Sequence, residues 1–347
     1  MMHDDADDTA TGRAFSRLAL PVWLFCAAAA ANLSALAQSI PDDDKATLNI
    51  QVENDLFGSG SDRNYTNGIR ASYLSAQDDI PGWLFVAARS MPLFAADGRL
   101  RTSYTLGQNM YTPDDTSRTG LIADDRPYAG WLYGGVGLTS DNGRVLDNLE
   151  LDIGIVGPAS FAEDTQRAWH KLIGADRPQG WDHQLRNEPA FVLFYERKWR
   201  AMYAFDVTGL AVDATPHAGL ALGTVYTHGA GGLTLRFGQD LPSDYGPPRI
   251  RPSLPGSGFF VPTRQVSWYL FAGIEGRAVA RNIFLDGNTF TDSHSIDKEP
   301  LVGDVQAGIA VTFGDARLSY TYVFRTKEFD NQDQPDQFGS FNLSVRF

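Results

Sequence analysis

The sequence predicts an all-β protein: a 12-stranded antiparallel transmembrane β-barrel with one short helix on an extracellular loop. Three observations predict it. First, from Thr47 onward apolar and polar residues alternate, as in Leu48, Ile50 and Val52 against Asn49, Gln51 and Glu53. A period of two gives a strand one apolar and one polar face. Second, the polar face is strongly charged, with Glu53, Glu150, Asp152, Asp304 and Arg317, which suits a wet or hydrogen-bonded lumen better than a soluble sandwich. Third, the last strand alternates Phe341, Leu343, Val345 and Phe347, and a terminal aromatic strand resembles the sorting signal of bacterial outer-membrane barrels.

The chain has 347 residues and a net charge of −13, which argues against a nucleic-acid partner. Residues 18–31, LALPVWLFCAAAAA, follow Arg13 and Arg17 and form an apolar run too short to span a bilayer comfortably. Ala35-Leu36-Ala37 supplies an A-x-A cleavage pattern, so residues 1–37 read as a secretory signal peptide and 38–347 as the barrel domain. The acidic start (Asp4, Asp5, Asp7, Asp8) is unusual for such a leader. The single cysteine, Cys26, lies inside it, which rules out a disulfide-stapled scaffold.

Twelve strands are expected near 46–54, 66–75, 102–111, 128–139, 147–156, 190–200, 203–214, 226–237, 266–278, 302–313, 316–326 and 339–347. Gly143 and Gly314 mark tight turns. Aromatic residues make up 12% of the chain, and Tyr111, Tyr128, Trp131, Tyr133, Trp199, Trp268 and Tyr269 near strand ends are expected in interfacial girdles. Residues 76–101 contain PGWLFVAARSMPLF, expected as a short helix at the membrane surface, and the Pro- and Gly-rich 238–265 are expected to be irregular. If the first strand runs outward, loops 55–65, 112–127, 157–189, 279–301 and 327–338 all lie outside.

The one convincing helix falls in Ser160–Asn187. Ser160 and Glu163 fit a capping box, Glu163 and Asp164 precede Arg167 and Lys171 as the helix dipole prefers, and Gly174 gives a left-handed stop. Ala162, Gln166, Trp169 and Ile173 share one face, with His170 at its border. A histidine with Asp176 close behind can be a general base with an orienting acid; a solvated surface histidine is the plain alternative. Alternation places Asp55 with Glu53, and Thr66 with Gly68, on the polar face of paired strands. Asp55 is a candidate ligand for a hard cation such as Ca²⁺, or else an ordinary turn former. Arg118 can pair with a phosphate, or be one more exposed arginine. There is no G-x-S-x-G elbow, H-E-x-x-H pair, Walker loop or cysteine cluster.

ENDLF (53–57), the D-R-x-Y-T-x-G segment (62–68), DRPYAGWLYGGVG (125–137), IGIVGP (153–158) and AWHKLIGAD-to-W (168–181) together resemble the outer-membrane lipid A 3′-O-deacylases, in the same order over the whole mature chain. The resemblance implies a 12-stranded barrel with its site between the wall and a loop helix, and Ca²⁺-dependent removal of the 3′-acyloxyacyl chain of lipid A. It places the catalytic histidine at His170, supported by Asp176, with Asn54 and Thr66 orienting water or the intermediate. Asp55 would serve the calcium, and Arg118 alone stands where the family has a Lys-Arg pair. The implied setting is the outer membrane, with lipid A or lipopolysaccharide as partner and a monomeric protein. A barrel esterase acting on glycerophospholipids and a non-catalytic porin or adhesin are the alternatives.

Overall fold

The chain divides into residues 1–38 and residues 39–347. The computed structural model describes residues 43–58, 64–95, 97–239, 241, 244–246, 258–262 and 264–347. The expected leader, its Cys26, and Asp62-Arg63 of the first loop lie outside the described residues.

The strands are β1 (Thr47–Asn54), β2 (Asn64–Leu74), β3 (Arg99–Thr112), β4 (Ala129–Asp141), β5 (Val145–Val156), β6 (Glu188–Trp199), β7 (Tyr203–Val207), β8 (Leu210–Gly223), β9 (Tyr226–Gln239), β10 (Val266–Asn282), β11 (Leu301–Phe313), β12 (Ala316–Arg325) and β13 (Asp336–Arg346). Every pairing is antiparallel between sequence neighbours, β1 pairs with β13, and β6 pairs with β8, which closes the barrel. Short β7 pairs with the first residues of β8, on the same edge that β6 uses farther along. The two are therefore one strand interrupted at Arg200–Met202, where Ala201 takes φ 44°. Twelve strands close the ring, as expected.

The seventh strand is displaced from its expected position of 203–214. The chain reverses at Thr208-Gly209, whose positive φ values of 52° and 85° suit a two-residue hairpin turn, and the strand continues to Gly223. Pro216 sits inside it without harm because the β6 ladder starts only at His217.

Alternation sorts side chains as predicted. Leu48, Ile50, Tyr104, Leu106 and Val136 are exposed on the outer face, where lipid replaces water as the neighbour. No helix among the described residues is long and apolar enough to cross a membrane. Inward charges are buried and paired: Arg70 with Glu150 at 2.8 Å, and Asp304 with Arg277 and Arg325, each at 3.0 Å. Two further sets of residues fill the lumen. At the end where α2 (Ala162–Ile173) lies, Tyr65, Tyr111, Trp131, Tyr226 and Phe338 pack around Phe284 of α3 (Ile283–Asp286), which stacks on Tyr111 with ring centroids 4.0 Å apart. At the opposite end, described residues of the β9–β10 connection turn inward. Asp244 is bound by Arg236 and Arg317, Tyr245 donates to Asp141 at 2.5 Å, and Phe260 lies under Arg317.

That filling corrects the expected girdle. Tyr111, Trp131, Tyr133 and Tyr269 have inward parity and are core residues, and Tyr128 is buried beside Trp181, with ring centroids 5.0 Å apart. Trp199 and Trp268 remain half-buried on the outer face.

Candidate active site

The outer face of β1–β4 carries one half of the candidate site at the α2 end of the barrel. Asn54 is the last residue of β1 and shares the outward parity of Leu48, Ile50 and Val52. It lies opposite Asn67, which in turn lies opposite Met110 and then Gly130. Asn54 is buried. Its amide donates to the carbonyl of Thr66 at 2.9 Å, and its Oδ1 accepts the Leu56 N–H at 2.9 Å. Those bonds cap a short helical turn, Asp55–Phe57, and fix buried Asp55 at the rim of the wall.

Alternation does not carry through to Asp55 and Thr66 as the sequence reading required. β1 stops at Asn54, and a bulge falls between Tyr65 and Asn67. Tyr65 faces the lumen against Tyr111 and Phe338, while Thr66 is the extra residue. Its hydroxyl meets that of Thr112, 2.7 Å away and of outward parity. The bulge thus re-aims Thr66 from the lumen to the outer wall.

Helix α2 supplies the other half. Its start presses on β4: a Cβ added at Gly130 would lie 2.2 Å from Ser160 Oγ and 2.3 Å from Ala162 Cβ, so only glycine lets the helix sit this close. Ala162 packs with Met110, Tyr128 and Trp181. The capping box does not form. Ser160 belongs to the preceding turn and its hydroxyl donates to the Gly157 carbonyl at 2.6 Å; Phe161, at φ 57°, occupies the cap without a side-chain bond. Gly174 does end the helix in the left-handed region, with φ 73°.

The buried stripe is Ala162, Gln166 and His170, spaced i, i+4, i+8, while Leu172 and Ile173 are exposed. His170 is therefore in the wall-facing stripe, not at its border, and the outward face mixes charged Asp164 and Lys171 with apolar Leu172 and Ile173. Gln166 Oε1 accepts the Trp181 indole N–H at 2.7 Å, tying the helix to the returning loop. That loop is tied in turn to 113–128, where Gln179 N–H donates to the Thr116 carbonyl at 2.9 Å.

His170 Nδ1 bonds the main-chain carbonyl of Asp176. A carbonyl only accepts, so Nδ1 carries the hydrogen and the lone pair of the neutral ring resides on Nε2. The Asp176 side chain is exposed, so it is the backbone of Asp176, held by the turn after Gly174, that orients the ring. His183, on the same loop as His170, is exposed, and His294 bonds the Asp125 carbonyl at 2.8 Å. Asp125 lies in the same loop as Arg118; burial raises its carboxyl above the usual range against the pull of the Asp114 and Arg126 N–H groups. Arg118 itself is exposed on that loop, and among the described residues no contact ties its side chain to the wall.

Among the described residues no group of three or more histidine, cysteine or carboxylate side chains is placed to hold a metal. Asp55 offers a buried carboxylate beside the main-chain carbonyls of its own short turn. This all-oxygen set fits a hard cation such as Ca²⁺ in chemical type, provided that most of the six to eight ligands come from carbonyls, water or a bound substrate. Sequence reasoning passed over Thr112, visible only once the register is known. It took Gln166 for a packing residue, although its i−4 spacing from His170 signals a shared face.

Comparison with known proteins bears on this arrangement. The family model described as "Outer membrane protein LpxR" matches residues 22–347. Among solved structures, LpxR from Salmonella typhimurium superposes with a TM-score of 0.71 at 21% identity, covering 87% of this chain and 100% of that one. The β domain of the Bordetella autotransporter BrkA (TM-score 0.39, 11% identity, 87% of this chain and 97% of that one) and the translocator domain of NalP from Neisseria meningitidis (0.37, 9%, 87% and 87%) are likenesses too loose to carry an argument. No curated protein matches.

Proposed function

The chain belongs to the family of the outer membrane protein LpxR, the lipid A deacylases, and from that premise we propose that it hydrolyses the ester holding the 3′-acyloxyacyl chain of lipid A, with the α2 end of the barrel outside the cell and the site in the outer leaflet. The observation that carries this reading is the state of His170: buried on the wall-facing stripe of a rigid helix, with Nδ1 bonded to a carbonyl and Nε2 as the basic nitrogen.

His170 Nε2 takes a proton from a water, whose oxygen adds to the ester carbonyl. The tetrahedral intermediate collapses by releasing the sugar oxygen, which receives the proton from the imidazolium; the products are a free 3′-hydroxyl and the acyloxyacyl acid. The Thr66 hydroxyl and the second amide N–H of Asn54 orient the water or the oxyanion. Asp55 is the residue that would hold Ca²⁺, and the bound ion would polarise the ester carbonyl. Exposed Phe161, Leu172 and Ile173 on α2 give an acyl chain an apolar neighbour, and Arg118 on the adjoining loop is the candidate contact for a lipid A phosphate.

The test is mass spectrometry of lipid A from cells with and without the protein. Loss of the mass of one 3′-acyloxyacyl group is expected; unchanged lipid A with altered glycerophospholipids would transfer the same residues to a phospholipid esterase. The metal assignment has its own check. Activity should vanish in a calcium chelator, return with added Ca²⁺, and be absent in Asp55→Ala with the barrel intact; full turnover in chelator would remove Ca²⁺ from the scheme.

A further inference from the structure

The helix α1 (Gly82–Ser90) is not used by the reaction, and its surroundings are unusual for a surface helix. It follows β2 and so lies at the opposite end from α2. It packs outside the barrel: buried Ala88 and half-buried Leu84, together with Ile80 and Phe94, cover Leu100 of β3 and Leu138 of β4. Those two have the outward parity of Tyr104, Leu106 and Val136, which are 50%, 62% and 52% exposed farther along the same strands. One row of the lipid-facing wall is thus roofed by α1.

The roof does not present a polar face in exchange. Trp83 is 74% exposed, Val86 65%, and Phe85 and Leu93 are exposed beside them. Residues 82–95 contain one charge, Arg89, and no acid, in a chain of net charge −13. The Arg89 guanidinium lies 5.0 Å from the Phe85 ring centroid and donates to the Gly98 carbonyl at 2.8 Å, so its cationic end sits at the edge of the apolar patch. Past the helix, the Leu93 carbonyl accepts from Tyr195 at 3.2 Å and from Arg197 at 2.8 Å, both on the outer face of β6 and both bonded to buried Asp147. The segment is therefore fastened along the wall from β3 to β6.

We propose that α1 is an interfacial anchor: it lies at the headgroup–acyl boundary of the membrane at the end opposite α2, with Trp83, Phe85, Val86 and Leu93 in the bilayer and Arg89 at the level of anionic phospholipid headgroups. The occupant of this face is lipid, because the face continues the lipid-exposed wall of an outer-membrane barrel without a break. The composition is that of a helix lying in an interface plane, with aromatic and aliphatic residues on one side and a basic residue at the boundary. Being fixed to β3 and β4, the strands on which α2 also sits, α1 sets the height of those strands in the bilayer. This inference stands on the barrel and its family, and does not depend on the deacylation chemistry.

Residues 43–347 contain no cysteine, so single cysteines can be introduced and spin-labelled. Trp83→Cys and Val86→Cys would be labelled in the full mature chain, reconstituted in vesicles of phosphatidylethanolamine and phosphatidylglycerol, with Leu106→Cys as the lipid-facing control and exposed Asp330→Cys as the aqueous one. Heat-modifiable gel mobility confirms that each variant keeps its barrel. The expected result is an oxygen-to-nickel-chelate accessibility ratio at 83 and 86 several-fold above that at 330 and approaching that at 106. A ratio at both positions equal to that at 330 overturns the proposal, because α1 then lies in water. Protection of both positions from oxygen and chelate together also overturns it, because the face is then covered by protein, either a second copy or a partner.

Discussion

His170 and Asp176 meet differently from the way their residue types suggest. The sequence shows an acid six residues after a histidine and invites a carboxylate–imidazole pair. The structure instead places the Asp176 carboxylate in solvent and uses its backbone carbonyl. Nothing in a residue name reveals which oxygen of an aspartate will be used, so this part of the site was not legible. The consequence is testable by kcat at saturating substrate. Removing the base in His170→Gln should cost about 10² to 10⁴-fold. Asp176→Asn, which keeps the carbonyl, should stay near wild type, and exposed His183→Gln should too. A large loss in Asp176→Asn would restore the carboxylate to the orienting role. That Asn54 and Thr66 are neighbours was legible because ENDLF and the Y-T-x-G segment lie on adjacent strands, but the face of Thr66 was not, since it turns on a bulge that inserts one residue there.

At the scale of elements, periodicity read the strands well and the helix only in part. Eleven of the twelve expected strands overlap the observed ones closely, because alternation is a direct image of a two-faced wall. The displaced strand is the one whose turn, Thr208-Gly209, offers a single glycine and no Asn-Gly or Asp-Gly signal. The girdle reading failed for a related reason: aromatic content says that a residue belongs at an apolar boundary, but parity decides on which side of the wall, and Tyr111, Trp131 and Tyr133 have inward parity. The helix stop at Gly174 was visible and the start was not, since Phe161 caps it with a strained φ of 57° in place of Ser160. What holds α2 down is Gly130 beneath its first turn. Gly130→Ala should therefore displace the helix start and lower activity substantially while leaving heat-modifiable mobility intact, because the strand itself accepts alanine. Unchanged activity in that variant would mean that the position of α2 does not set the geometry of the reaction.

On the scale of the whole molecule, the barrel is a filled scaffold and not a conduit. Aromatic residues and α3 occupy the lumen at one end, paired charges the middle, and Asp244, Tyr245 and Phe260 the other end. The porin alternative accordingly predicts a steady open-channel current in planar bilayers, where the filled lumen predicts none. The buried charges also explain how a chain with so polar an interior stays closed. Arg317 is fully buried, and Asp244 is its carboxylate partner; Asp244 also receives Arg236, which keeps Asp213 at 2.9 Å as a second partner. Asp244→Ala should therefore strand the charge of Arg317 more than that of Arg236. Leaving one member of a buried pair uncompensated typically costs about 3 to 5 kcal/mol, far more than the pair itself contributes relative to apolar residues. The expected outcome is a barrel that unfolds at markedly lower urea concentration, with Arg317→Met in the same chain recovering most of the loss, since the double variant removes both charges. Conductance should stay at zero in each variant that folds, because Phe260 and the flanking strands still occupy that end. If Asp244→Ala instead left stability unchanged and opened a channel, the inward-turned connection would be a gate and the filled lumen a closed state of a pore.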